Sequence, residues 1–234
     1  KVKIYGYGGW LQNEQLRPQE LEQLDDLKEV PTCNINGKRL FFAKGTVSWS
    51  SASTSKRTRN PYSDYGYYFI TQTDEEPLKM DSTAFLASFY PTFNDYHSIY
   101  EVDNYAWFEG GRNLFDAEVL NNGVSKTYSL KAPKGVSTAK MLVNITSNNT
   151  CEVQVSCNGK VYGNIPLSWN NSSNGSDAFS KAKEVAFGYT IDNVSEQNNI
   201  TLQVTKGNNV RLDYITLTFN TPFAAPHLKT DNFP

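Results

Sequence analysis

Apolar and polar residues alternate with a period of two through the second half of this chain, and no other feature constrains its fold as strongly. Cys151, Val153, Val155 and Cys157 alternate with Glu152, Gln154 and Ser156. Met141, Val143 and Ile145 repeat the pattern, as do Ile200, Leu202 and Val204, and then Ile215, Leu217 and Phe219. Successive side chains of a strand point to opposite faces, so each run reads as a strand with one buried face. Asn158-Gly159 separates Cys151–Cys157 from Lys160–Leu167, and that pair suits a type I′ hairpin turn, which needs positive φ at both positions. Six to eight such strands over Glu118–Asn220 predict an all-β fold, a two-sheet sandwich of jelly-roll type occupying residues 81–221.

The first 80 residues read differently, as a small mixed β segment. Lys1–Tyr5 reads as a strand entering a glycine turn, Gly6-Tyr7-Gly8-Gly9. One short helix is expected next, with Pro18 in its first turn, Leu21, Leu24 and Leu27 on one face, and Pro31 just beyond its end. Asn36-Gly37 is a second hairpin signal. Ser48–Asn60 reads as an exposed polar loop, and Tyr65–Thr73 as an aromatic strand. Pro222, Pro226 and Pro234 mark residues 222–234 as a linker or a truncated edge.

Charge and hydropathy exclude some functions. The 22 Lys and Arg nearly balance the 24 Asp and Glu, without the basic surplus that a nucleic-acid partner requires. A mean hydropathy of −0.54 and the lack of any long apolar run exclude a membrane span. Aromatics make up 13%, which favours strands over disorder.

The candidate chemistry is sparse. Cys33, Cys151 and Cys157 read as buried thiols, because a single strand would hold the last two about 20 Å apart, beyond disulfide reach. Cys–His catalysis would need His97 or His227, and neither sits in a recognisable signature. Glu101, Asp103, Glu109, Asp116 and Glu118 crowd one aromatic segment. Loop acids of this kind are usually solvated, although with backbone carbonyls they could also ligate Ca²⁺; nothing in the spacing supports a cofactor. Seven Asn-x-Ser/Thr sequons begin at Asn144, Asn148, Asn170, Asn171, Asn174, Asn193 and Asn199, a number that an Asn- and Thr-rich β protein reaches by chance. Trp49, Trp107 and Trp169 could stack on sugar rings as a carbohydrate-binding platform, but core packing explains such aromatics equally well.

Several stretches, in consistent order, resemble the gingipain-like C25 cysteine peptidases of Bacteroidota, in particular those of the type IX secretion system. They are Val2–Gly9, Asp26–Pro31, Phe41–Gly45 with Trp49, Asn60–Thr71, Tyr100-Glu101, Gly110–Phe115 and Leu212–Ile215. Ala43 and Asn113-Leu114 depart from the family pattern. In that family the catalytic His and Cys lie in a domain that follows the β region, so no residue here inherits a catalytic role. The resemblance implies a noncatalytic N-terminal region, exported to the extracellular or outer-membrane surface. Its implied partners are a downstream peptidase domain of the same polypeptide and other type IX surface components.

Overall fold

In the computed structural model the described residues are 1–9, 27–49, 57–60, 62–80, 93–107, 113–169 and 181–222. They divide into two units, the first within residues 1–80 and the second from residue 93 onward.

Among its described residues the first unit holds six strands: β1 (Val2–Gly8), β2 (Thr32–Ile35), β3 (Lys38–Phe41), β4 (Val47–Trp49), β5 (Arg57–Arg59) and β6 (Tyr67–Gln72). They pair antiparallel as β1–β6, β2–β3 and β4–β5. Asn36 and Gly37 take φ of 51° and 75°, the conformation their hairpin requires. The glycine stretch is not a turn, because β1 runs on to Gly8 with an irregular register between Tyr5 and Gly8. Close approach explains the glycines: a Cβ on Gly6 would lie 2.9 Å from the Tyr67 carbonyl oxygen, and one on Gly8 2.6 Å from the Tyr68 hydroxyl. No helix occurs among the described residues. Leu21 and Leu24, which carried that expectation, lie outside them, while Leu27 is exposed and Glu29 bridges Tyr5 in an extended segment.

The second unit is a β-sandwich of eight described strands. They are β7 (Phe93–Glu101), β8 (Ser125–Lys131), β9 (Ala139–Ser147), β10 (Cys151–Cys157), β11 (Lys160–Leu167), β12 (Lys183–Ile191), β13 (Gln197–Lys206) and β14 (Val210–Pro222). One sheet runs β11-β10-β13-β8 and the other β12-β9-β14-β7, all antiparallel. The residues picked out by alternation form the core between them: Met141, Val143 and Ile145 meet Val153, Val155, Ile200, Leu202, Ile215 and Leu217, nearly all without exposed surface. Each such side chain contributes about 1.5–3 kcal/mol on burial, so this cluster dominates the stability of the unit. Cys151 and Cys157 belong to it as small apolar groups, whereas Cys33 is only half-buried and not the core thiol expected.

The two outer faces of the sandwich differ. On the β8–β13 face, Thr127 bonds Thr201 and Ser129 bonds Asn199, an exposed polar ladder. On the β9–β14 face the outward residues Asn144, Thr146, Asp213 and Thr216 are themselves buried. Buried polar groups need partners, so the second face carries a constraint that the first lacks.

Candidate functional site

The outward residues of the β12-β9-β14-β7 sheet form an acid–amide row where β14 bulges. Leu212 pairs with Ile145 and Tyr214 with Asn144, which leaves Asp213 as the extra residue between them. A bulge re-aims side chains locally, and here it directs the Asp213 carboxylate outward onto Asn144. The β14 edge also changes partner at this point. Asp116 and Leu120 bond Leu212 and Val210 before the bulge, and β7 takes over from Tyr214, paired with Glu101.

Asn144 Nδ2 donates to Asp213 Oδ2 at 2.7 Å and also to Glu184 Oε1 of β12. Asn113 Nδ2 adds a third link, at 3.3 Å from Asp213 Oδ2. The other oxygen of Asp213 and the oxygen of Asn144 are buried without a hydrogen-bond partner. Burial pushes the Asp213 carboxyl up to about 8, helped by the negative charge of Glu184 and, more weakly, of Glu101 and Asp103; the Asn113 hydrogen bond works the other way.

Beside this row, Arg211 locks the segment after β7 onto β14. Its guanidinium lies 4.0 Å from the Tyr105 ring centroid and 5.3 Å from that of Trp107. It donates to the carbonyls of Ala117 and, at 3.3 Å, Asp116. Planar stacking with forked donors is a use that Arg serves and Lys does not. Trp107 in turn meets buried Phe115 edge-on.

The motif residues from three separate stretches therefore meet here: Glu101 of the first, Asn113 and Phe115 of the second, and Asp213 of the third. Of the five acids singled out in the sequence, Glu101 and Asp103 reach the Asp213 environment. Asp116 and Glu118 pair with Lys126 instead, and Glu109 lies outside the described residues. Asp213 belongs to the Leu212–Ile215 motif, and only sheet register brings Asn144 and Glu184 to it. The available signal was an acid inside the apolar alternation of Leu212–Phe219.

The histidine, cysteine and tryptophan candidates within the described residues have settled positions. His97 is buried with Nδ1 3.0 Å from the Thr218 hydroxyl, its register partner across the sheet; His227 lies outside the described residues. Burial raises the Cys157 thiol to about 11 and also raises Cys151, the opposite of an activated nucleophile. Trp107 is committed to Arg211 and Phe115, and Trp169 packs against the core. Trp49 pairs with Arg57 at the end of β4, and its side chain lies outside the described residues. Of the sequons, Asn144 is buried with its amide engaged, and the Asn193 amide donates to the Cys157 carbonyl.

Among the described residues no three His, Cys, Asp or Glu side chains converge as a ready-made metal cage. The row instead alternates carboxylates with amides whose NH2 groups donate to them.

No family model and no curated protein matches this sequence. Among solved structures, dimeric latent PorU from Porphyromonas gingivalis superposes on 94% of this chain with a TM-score of 0.68 at 24% identity. The match takes in 22% of the PorU chain, so this chain spans about a fifth of that protein. A family 35 carbohydrate-binding module from an environmental isolate covers 55% of this chain and 90% of its own, at 19% identity and a TM-score of 0.36. The family 35 module from Clostridium thermocellum covers 54% and 98%, at 10% identity and a TM-score of 0.33. The fold of this chain is thus found within PorU, while the overlap with the two modules is too slight to establish a common fold.

Proposed function

We propose that this chain is a noncatalytic β region of an exported gingipain-like cysteine peptidase, and that it packs on or restrains the peptidase domain of the same polypeptide at the cell surface. The observation that carries the reading is the PorU fold over nearly the whole chain, spanning about a fifth of that protein's length. PorU is gingipain-like, and the motif resemblance of the sequence leads to the same family. PorU was solved in a latent form, which suits a region that restrains a peptidase. On this reading the sandwich is of jelly-roll type and the chain divides near residues 80 and 221. Further type IX surface components are its outer partners.

A second feature supports a docking role. In the first unit Tyr67, Phe69 and Ile70 of β6 are exposed by 65%, 60% and 71%, and Phe42 by 67%. Beyond β1, no strand pairs with β6 among the described residues. Exposed apolar surface on an open strand edge is a liability unless something covers it, and the peptidase domain is the occupant proposed. The test places Tyr67→Ser and Phe69→Ser in the full-length polypeptide and follows limited proteolysis between its domains. Faster cleavage than in the unaltered protein supports docking through β6, and an unchanged pattern removes β6 as the docking face.

A further inference from the structure

The β12-β9-β14-β7 sheet ends at β12, which pairs only with β9 among the described residues. That pairing runs without a shift through all nine residues, from Lys183 opposite Ser147 to Ile191 opposite Ala139. An open strand edge is usually blunted by charge, proline or a bulge, and the other sandwich edges follow that rule. β11 pairs with a register shift and carries Pro166, β8 carries Lys126 and Lys131, and β7 carries Asp95 and Glu101. Val185–Thr190 of β12 has neither charge nor proline, and Ala186, Phe187 and Gly188 are exposed.

A cavity of about 450 Å³ lies along this edge, lined by Ala186–Thr190 with Lys140 and Met141 of β9. Gly188 helps to open it. It has no positive φ, and a Cβ there would make only ordinary contact, 3.8 Å from Leu142 Cδ1. The fold therefore does not require glycine at this position, and a strand glycine often marks close approach by a ligand or another backbone. Lys140 stands opposite Thr190 and is exposed. Glu184 bonds Asn144 and Asp192 pairs with Lys160, so among the described residues Lys140 is the uncommitted charge beside the cavity. On the opposite face of β12, Phe187 is 38% exposed and its ring centroid lies 5.4 Å from that of Tyr189.

We propose that the β12 edge binds an extended peptide carrying an acidic side chain, which adds to the sheet as a further strand. Main-chain hydrogen bonds to the free side of Val185–Thr190 supply affinity, and alternate side chains supply specificity. An added strand lies about 10 Å from β9, two strand spacings away. A Glu on its outward face, level with Thr190, reaches Lys140 across that gap. Gly188 leaves room for the side chain at the next outward position, and apolar residues of the other face pack on Phe187 and Tyr189. The proposal concerns the second unit alone and does not rest on the peptidase reading.

The test is fluorescence polarisation of the 234-residue chain with a fluorescein-labelled peptide of alternating Val and Thr that carries one central Glu. A second peptide has Lys in place of the Glu, and a third has Pro in place of a neighbouring Val. The Glu peptide should bind saturably, about three- to tenfold tighter than the Lys peptide. The Pro peptide should lose binding, because proline removes a ladder donor. Lys140→Glu, at an exposed side chain, should reverse the preference between the Glu and Lys peptides. On saturation the amides of Val185–Thr190 should exchange hydrogen more slowly. No saturable binding, equal binding of the Glu and Lys peptides, full binding of the Pro peptide or an unchanged preference in Lys140→Glu overturns the proposal. So does protection at Tyr67–Gln72 instead of β12, which assigns the peptide to β6. Protection of β12 that rises with chain concentration before any peptide is added also overturns it, since the occupant is then a second copy.

Discussion

Asp213 is a buried acid whose effect on the fold depends on its charge state. Its carboxyl titrates near 8 in the folded chain against an ordinary value of 3.8, first through burial and then through the charge of Glu184. A raised folded value means the stabilising contribution is complete below the ordinary value and is lost as pH rises toward 8. The Tm of the unaltered protein should therefore fall between about pH 5 and pH 8 more steeply than that of Asp213→Asn, which cannot ionise. Parallel Tm profiles for the two proteins would show that Asp213 does not set this dependence. The strand that holds Asp213 was legible in the sequence, as the Leu212–Ile215 motif and the alternation of Ile215, Leu217 and Phe219. The partners of Asp213 were not, because Glu184 and Asn144 lie on other strands and only sheet register brings all three together. Arg211 illustrates the same limit: nothing in its neighbourhood along the chain announces that Tyr105 and Trp107 will stack on it.

Among the elements, the hairpins were the most legible and the glycines the least. Asn158-Gly159 takes φ of 49° and 84°, as the two-residue turn demands, and alternation identified the inward faces of β9, β10, β13 and β14. Period-two patterning carries no information about how closely two backbones approach. That is why Gly6–Gly8 read as a turn when it is a strand in close contact with β6. Two glycines with nearly equal φ separate these effects. Gly159 at +84° has open space around it, whereas a Cβ on Gly207 at +80° would lie 2.8 Å from the Cys151 Cα. Gly159→Ala should cost about 1–2 kcal/mol, the ordinary penalty of a left-handed L-residue. Gly207→Ala should cost clearly more, because the steric overlap adds to the same backbone strain. Chemical denaturation midpoints decide the comparison; equal losses would mean that the β13–β14 turn relaxes and that packing there is loose.

At the scale of the molecule, the described residues form a six-strand unit with much exposed aromatic surface and an eight-strand sandwich with a continuous core. The sandwich was readable because its strands are long and amphipathic. The first unit was less so, because its strands are short, several are exposed on both faces, and their pairing is set by close backbone contacts. The exposed strand of the first unit is what the proposed docking against a further domain would cover. The most direct measurement compares the proposed downstream peptidase domain with and without residues 1–234, reading thermal stability and turnover together. The account predicts that removing the region lowers the Tm of the peptidase domain or changes its turnover. Equal Tm and equal turnover in the two forms would contradict it.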